Sequence, residues 1–200
     1  RSLRTKFQEE EDTKSVILRL GDDYRILKQN YNARQSDLTI ITPSFDKVFE
    51  KIDDLFNQAN EYVENANYTQ AKNIAKVKLR PIVDELSNLV VQLPGMCINA
   101  QRVLPSKLSS LRYRYEELTN QGYPLHHIVV PSMFDEIDNH IKSISIRLKA
   151  FETKGVQAEI NEMLPQFEEY FRLFDEEVKS REIFDKEHDK IYAEENAMQS

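Results

Sequence analysis

The sequence has no tryptophan, one cysteine and only four glycines among its 200 residues. Because Cys97 stands alone, an internal disulfide and a cysteine-based zinc site are both excluded. Glycine permits the positive φ that tight turns need, so its scarcity argues against a β protein with many turns. No apolar run approaches the roughly 18 residues of a membrane-spanning helix. These absences favour a helical protein and are compatible with a reducing compartment.

The residues that are present supply a core and an acidic surface. Hydrophobic residues make up 40% of the chain, charged residues 30%, and the formal net charge is −7. The acidic balance argues against nucleic acid as the main partner, because phosphate binding needs clustered lysine and arginine. The sequence begins at Arg1 with no signal-peptide pattern, so we expect an interior piece of a longer protein.

Apolar side chains recur in alternating steps of three and four residues. In the segment Thr42–Asn67 they include Phe45, Ile52 and Ala59, which places one apolar stripe along a helix. No stretch shows a sustained period of two. The same spacing recurs in five further segments, which are Ile17–Tyr31, Ala75–Leu93, Leu104–Leu118, Phe134–Phe151 and Ile160–Val178. Together with Thr42–Asn67, these segments predict six helices.

Turn-forming residues separate these segments. Tight reversals are predicted at Asn65–Thr69 and Thr153–Gly155, with an asparagine or glycine in the left-handed conformation. Pro94-Gly95 and Gly122–Pro124 are expected to interrupt the chain. Pro81 lies inside a helical stretch and removes a backbone donor, so a kink or a helix start is expected there.

The chain resembles itself at a shift of 89 residues. Tyr24-Arg25 then aligns with Tyr113-Arg114, and Phe45-Asp46 with Phe134-Asp135. An internal repeat of this length indicates two copies of one supersecondary unit. The predicted fold is therefore all-α, with two tandem three-helix antiparallel coiled-coil units at residues 1–93 and 94–200.

Two such units joined end to end predict an elongated rod on the order of 80 Å or more. The last helix, from about Val156 to near Ala197, is longer than its partners, and its stripe fades where Arg181 and Asp185 take apolar positions. The stripe of the first helix breaks at Glu9–Asp12. We expect an exposed, protruding last helix and neighbouring repeats beyond both ends.

Patterns that carry chemistry are weak. A di-iron bundle needs two Glu-x-x-His pairs, and the sequence offers only Asp185 with His188, and Glu136 with His140. Phosphate-binding glycine motifs and a nucleophile elbow are absent. Cys97 is interpreted as a small core residue. We therefore predict no enzyme, no catalytic, cofactor-binding or metal-binding residues, and no cofactor.

Charge clusters leave two interpretations open. Lys76, Lys78 and Arg80 form a basic patch, and Glu168-Glu169 and Glu176-Glu177 form acidic pairs. Solvated faces of long helices are the preferred interpretation, and docking of a partner is the alternative. The apolar connector His126–Val130 is expected to pack against the helices.

Several longer stretches resemble one family. Leu104–Leu108, Arg112–Leu118 and Gln121–Ile128 together are similar to the repeat of the EzrA family, the septation ring formation regulators of low-GC Gram-positive bacteria. Glu61–Lys72 is similar to the family's helix–turn–helix, and Asp175–Glu182 to the acidic start of its long closing helix.

The resemblance implies a non-catalytic cytoskeletal scaffold without cofactors. Family members carry one N-terminal membrane helix and a cytoplasmic, arched array of spectrin-like repeats. They interact with the tubulin-like protein FtsZ, restrain ring assembly and connect the ring to wall-synthesis proteins. The resemblance thus implies FtsZ and other division proteins as partners, and a location at the division septum on the cytoplasmic side of the plasma membrane.

The chain also departs from the family. The membrane helix is absent, Pro81 lies where unbroken helix is expected, and Gln29-Asn30 is too short a match to transfer the septum-targeting patch. No site residue is therefore predicted. A generic spectrin-like adaptor with cytoskeletal or trafficking partners remains an alternative, although the core tryptophan of eukaryotic repeats is missing. A helical-bundle enzyme or metal-storage protein is a third possible function. The sequence does not determine the oligomeric state.

Overall fold

The structure is a computed structural model that describes residues 3–199. Arg1, Ser2 and Ser200, which the two predicted repeats include, lie outside the described residues. All regular structure in residues 3–199 is helical, which confirms the all-α prediction. The α-helices are α1 (Leu3–Ala33), α2 (Thr42–Glu64), α3 (Tyr68–Asn73), α4 (Arg80–Ile98), α5 (Leu104–Asn120), α6 (Pro131–Lys149) and α7 (Val156–Gln199).

The chain stays helical from α3 to α5 through two wide turns of π-helix, Ile74–Leu79 and Asn99–Val103. Each wide turn ends two residues before a proline, Pro81 or Pro105. A proline has no N–H and its ring clashes with the carbonyl four residues earlier. In a wide turn ahead of the ring, the backbone does not need the hydrogen bond that the missing proline N–H would donate to that carbonyl. The expected helix start at Pro81 is thus the start of α4, without a break in the helical chain.

The expected interruption at Pro94-Gly95 was wrong, because α4 continues through both residues. An interior proline costs roughly 3 kcal/mol of helix stability. The apolar residues on either side offset that cost, since Leu93 and Cys97 are fully buried and Ala100 is 2% exposed. Burial of each such side chain contributes on the order of 1–3 kcal/mol.

Internal contacts divide the chain into two units. Unit 1 comprises the chain up to Ile98 together with Ser145–Thr153, and unit 2 comprises Asn99–Ile144 with the chain from Lys154 onward. The division into repeats at 93 and 94 stays a prediction.

In unit 1, α1, α2 and the helical stretch α3–α4 pack against one another. Leu20 and Leu27 from α1, Ile52 from α2 and Val83 from α4 form part of the core, and each is at most 1% exposed. Aromatic rings join α1 to α2, with the ring centres of Tyr31 and Phe45 4.7 Å apart. The three-and-four spacing thus places its residues inside.

In unit 2, α5, α6 and α7 share a core. Tyr115 of α5 contacts both Phe134 of α6 and Phe174 of α7, with ring centres 5.3 and 6.4 Å apart. Leu111 and Phe174 are fully buried. The buried positions again follow the predicted apolar stripes.

Helices α2, α5 and α6 end in the same way, with one residue in the left-handed conformation. These residues are Ala66 (φ 60°), Gly122 (φ 91°) and Phe151 (φ 58°). At each end, paired N–H donors bond back to the last turn, as in Asn67 N–H to the Tyr62 carbonyl at 2.8 Å. The prediction of asparagine at the first reversal was wrong, since Ala66 takes the left-handed position. Gly155 also has a positive φ of 76°, as predicted.

The internal repeat holds at some aligned positions and not at others. Phe45 and Phe134 are both buried, and so are Ile52 and Ile141. Tyr24 is 6% exposed, but its aligned partner Tyr113 is 69% exposed. The repeat therefore describes the second helix of each unit better than the first.

Candidate interaction surface

A groove in unit 1 runs between α1 and the helical stretch that begins with α3. Tyr68 at its start lies near Glu10, since burial and this carboxylate raise the pKa of the Tyr68 phenol, and Arg80 lies 2.7 Å from the Asp23 carboxylate. Successive contacts therefore advance in the same direction along both helices, which makes them parallel neighbours. Just over three helical turns separate these contacts, a span of about 18 Å.

The floor of this groove is apolar. Leu20 and Ala75 are fully buried, Val16 is half-buried, and all three line a cavity of about 510 Å³. Ala75 belongs to the wide turn Ile74–Leu79, which shapes one wall.

The rim of the groove is cationic, and we call the whole feature the basic groove. Arg19, Lys72 and Lys76 line it, and none of these three side chains forms a hydrogen bond or ion pair within residues 3–199. Arg80 closes one end and is neutralised by Asp23 at 2.7 Å and Asp84 at 3.2 Å. These carboxylates raise the pKa of the Arg80 guanidinium and keep it charged.

One carboxylate also lines the basic groove. Asp12 accepts a hydrogen bond from the Gln8 amide at 3.1 Å. Two residues earlier along α1, Glu10 is paired with Lys14 at 2.7 Å. The cations without partners therefore outnumber the one lining acid, and the groove is positive on a chain whose net charge is −7.

Unit 2 has a groove in the matching place, between α5 and α7, with a volume of about 810 Å³. Its cations are paired: Lys107 lies 2.8 Å from Glu168, and Arg172 bonds both Glu169 and Glu176. The Arg172 guanidinium holds the pKa of Glu169 below its usual range. We call this feature the paired groove, because its charges neutralise one another.

The residues considered for metal binding do not come together. His140 lies 2.8 Å from Glu159 of α7, and His188 lies on the exposed part of α7. No group of three or more histidine, cysteine, aspartate or glutamate residues with metal-binding geometry occurs in residues 3–199.

Cys97 is fully buried, and burial raises the pKa of its thiol to about 12. The thiol is therefore protonated at neutral pH and is a poor nucleophile. The interpretation of Cys97 as a small core residue is confirmed.

The expected exposed end of α7 is confirmed. Every described residue from Lys179 onward is exposed, including Phe184, Ile191 and Met198, which recur at intervals of seven. The connector after α5 is only partly packed, since Val129 is 1% exposed while His126 and His127 are exposed. His127 lies 3.5 Å from Glu177 of α7.

Comparison with known proteins gives a family for these helices. The model of a family described as septation ring formation regulator, EzrA, matches residues 3–200, nearly the whole chain. This chain belongs to the EzrA family. The resemblance to this family is thereby confirmed.

Curated EzrA relatives are distant in sequence. The septation ring formation regulator EzrA of Halalkalibacterium halodurans is 22% identical over 174 residues, covering 87% of this chain and 31% of the relative. EzrA of a Geobacillus species is 21% identical, covering 91% of this chain and 32% of the relative. EzrA of Staphylococcus epidermidis is 20% identical, covering 80% of this chain and 28% of the relative.

The chain thus spans about a third of the length of these relatives. No solved structure was found to match it. Among the helices of residues 3–199, none combines the length and apolar character needed to cross a bilayer.

Proposed function

We propose that this chain is a non-catalytic scaffold segment of a septation ring regulator, built from two spectrin-like repeats at residues 1–93 and 94–200. The observation that carries the proposal is the EzrA family match over residues 3–200 of an all-helical chain. The three-way packing of α1, α2 and α3–α4 in unit 1 supports a triple-helical repeat.

In this proposal, the scaffold binds FtsZ and other division or wall-synthesis proteins, and it restrains assembly of the FtsZ ring. Stiff repeats hold binding surfaces at fixed separations, which is how a rod without an active site influences a filament. A membrane segment elsewhere in the whole protein would hold the rod at the cytoplasmic face of the division septum.

Co-sedimentation with FtsZ tests the partner. The 200-residue chain is mixed with FtsZ in GTP, which assembles polymers, and in GDP, which serves as the control. We expect the chain to pellet with FtsZ only in GTP and to slow assembly measured by light scattering. Pelleting at the level seen without FtsZ, together with unchanged assembly, would contradict FtsZ binding by this segment.

Small-angle X-ray scattering tests the rod. A compact chain of this length has a radius of gyration of about 16–17 Å. Tandem repeats predict a clearly larger value and a maximum dimension beyond about 80 Å, from the summed helix lengths. A compact value would contradict the tandem arrangement while leaving FtsZ binding to be judged by sedimentation.

A further inference from the structure

We propose that the basic groove of unit 1 is a docking site for an acidic peptide segment of a partner protein that also carries an apolar side chain. The inference goes beyond the scaffold role, because it assigns a place on the chain and a chemical class of occupant. It does not depend on which division protein supplies the segment.

The cations of the groove are the first argument. Arg19, Lys72 and Lys76 have no partner within residues 3–199, although the chain has seven more acidic than basic residues. Elsewhere on the same chain, comparable cations such as Lys107 and Arg172 are paired with neighbouring glutamates. Three cations around one concavity attract an anionic occupant and exclude a basic one.

The floor of the groove is the second argument. Val16 offers a half-buried apolar side chain below the cations, Leu20 and Ala75 lie fully buried behind it, and the cavity of about 510 Å³ has room for a leucine-sized side chain and its backbone. A free inorganic anion gains nothing from an apolar floor. An amphipathic segment, with carboxylates on one face and an aliphatic residue on the other, fits both parts of the site.

The shape of the groove separates a peptide from a lipid surface. The cavity is concave and lies between two parallel helices, whereas membrane binding requires apolar side chains that project outward into the acyl region. Lys72 and Arg80 are eight residues apart, about 12 Å along a helix. This span matches about two turns of a bound helix.

The wide turn supports the same assignment. Lys76 and Ala75 both lie in Ile74–Leu79, and wide turns of this type occur often at functional sites. Lys78 lies in the same turn but does not line the groove. Lys78 therefore provides a control with the same charge on the same turn.

The test uses a synthetic array of labelled peptides of about twelve residues, in which leucine content is constant and net charge varies from strongly acidic to strongly basic. Binding to the 200-residue chain is measured by fluorescence anisotropy at low and at physiological salt. Two variants are compared with the parent: the double substitution Lys72→Glu and Lys76→Glu, and the control Lys78→Glu. Circular dichroism checks that both remain helical.

We expect acidic peptides with leucine to bind, and binding to weaken as salt rises. The double groove variant is expected to weaken binding by about tenfold, which corresponds to about 1.4 kcal/mol. Lys78→Glu is expected to change it by less than about twofold, because its charge lies outside the groove. Acidic peptides without leucine are expected to bind more weakly than those with it.

Three results would overturn the proposal. The first is an array in which affinity does not increase with acidity, and the second is equal weakening by the groove variant and by Lys78→Glu. The third is displacement of bound peptide by phosphatidylglycerol vesicles, with vesicle binding lost in the groove variant, which would assign the groove to a lipid surface. Each of these results leaves the sedimentation test with FtsZ unaffected, so the two proposals fail separately.

Discussion

The basic groove of unit 1 presents cations without partners, whereas the paired groove of unit 2 holds each lining cation against a carboxylate. Both grooves lie between the first and last helices of a three-helix unit. Core packing fixes only the inward positions of those helices, so the rim positions are free to differ. The difference shows that similar packing can carry distinct recognition surfaces along one chain.

The largest effect is expected from a substitution at Leu20, which lies between the basic groove and the core of unit 1 and is fully buried. Leu20→Ala is expected to lower the free energy of unfolding by about 2–5 kcal/mol, because it removes buried methylenes and leaves a cavity. Leu18→Ala, on the same helix but 69% exposed, is the control. It is expected to change stability by less than about 0.5 kcal/mol. Equal losses in urea unfolding would contradict the assigned faces of α1.

The units also differ in response to alkali, because Cys97 and Tyr24 both belong to unit 1. Burial raises the pKa of Cys97 to about 12 from its ordinary 9.0, and burial with the Asp53 contact raises that of Tyr24. Above pH 9 the unfolded thiol loses its proton while the folded thiol keeps it. The stabilising contribution is therefore present below pH 9 and lost as pH rises towards 12.

At pH 10.5 the thiol alone should lower the free energy of unfolding by about 2 kcal/mol relative to pH 8. Urea unfolding of the parent and of Cys97→Ala at both values measures this effect. The alkaline loss should be smaller in Cys97→Ala, since no thiol remains to ionise. An identical loss in both proteins would show that Cys97 does not cause it.

The paired groove should become a binding groove when its glutamates lose their charge. Glu168→Gln with Glu169→Gln frees Lys107 and leaves Arg172 only its contact with Glu176. The affinity for the acidic leucine peptide should rise by about fivefold, the range of one or two surface charge pairs. Isothermal titration should also give a second bound peptide per chain.

The matched control is Glu187→Gln with Glu194→Gln, which changes the net charge equally on the exposed end of α7. A similar gain in this control would mean that overall charge, and not the groove, governs peptide binding.

The smallest expected effects on stability concern two tyrosines of α1. Tyr24 donates a hydrogen bond to Asp53 at 2.8 Å, whereas the buried Tyr31 hydroxyl has no partner within the described chain. Tyr24→Phe should lower the free energy of unfolding by about 1 kcal/mol, because it removes a hydrogen bond. Tyr31→Phe should leave it unchanged or raise it by up to about 1 kcal/mol. Thermal or urea unfolding distinguishes these outcomes, and an equal loss in both would contradict the hydrogen-bond assignment.

Sequence periodicity predicted most of the fold. The stripe that includes Leu20, Tyr24, Leu27 and Tyr31 is buried as expected, because alternating steps of three and four follow the turns of a helix. The expectation at Pro94-Gly95 was wrong because burial of the neighbouring residues Leu93 and Cys97 outweighs the local preference of proline and glycine for a turn.

The sequence predicted only part of the basic groove. Lys76 and Arg80 of the predicted basic patch line the groove, but Lys78 of that patch does not. Arg19 and Lys72 join the groove from 53 positions apart, a proximity that only the packing of α1 against α3–α4 creates. Whether a lysine has a carboxylate partner also depends on that packing, so the cluster could not be told from a solvated face.

The wide turn Ile74–Leu79 has a consequence for how the chain tolerates changes in length. The fully buried residues Ala71, Ala75, Leu79 and Val83 follow three successive steps of four, instead of alternating threes and fours. Such a run accommodates one surplus residue, since each residue rotates an α-helix by about 100°. Loss of one residue within the turn would convert it to ordinary α-helix and keep the later apolar stripe facing inward. A deletion elsewhere in α4 would rotate that stripe towards solvent.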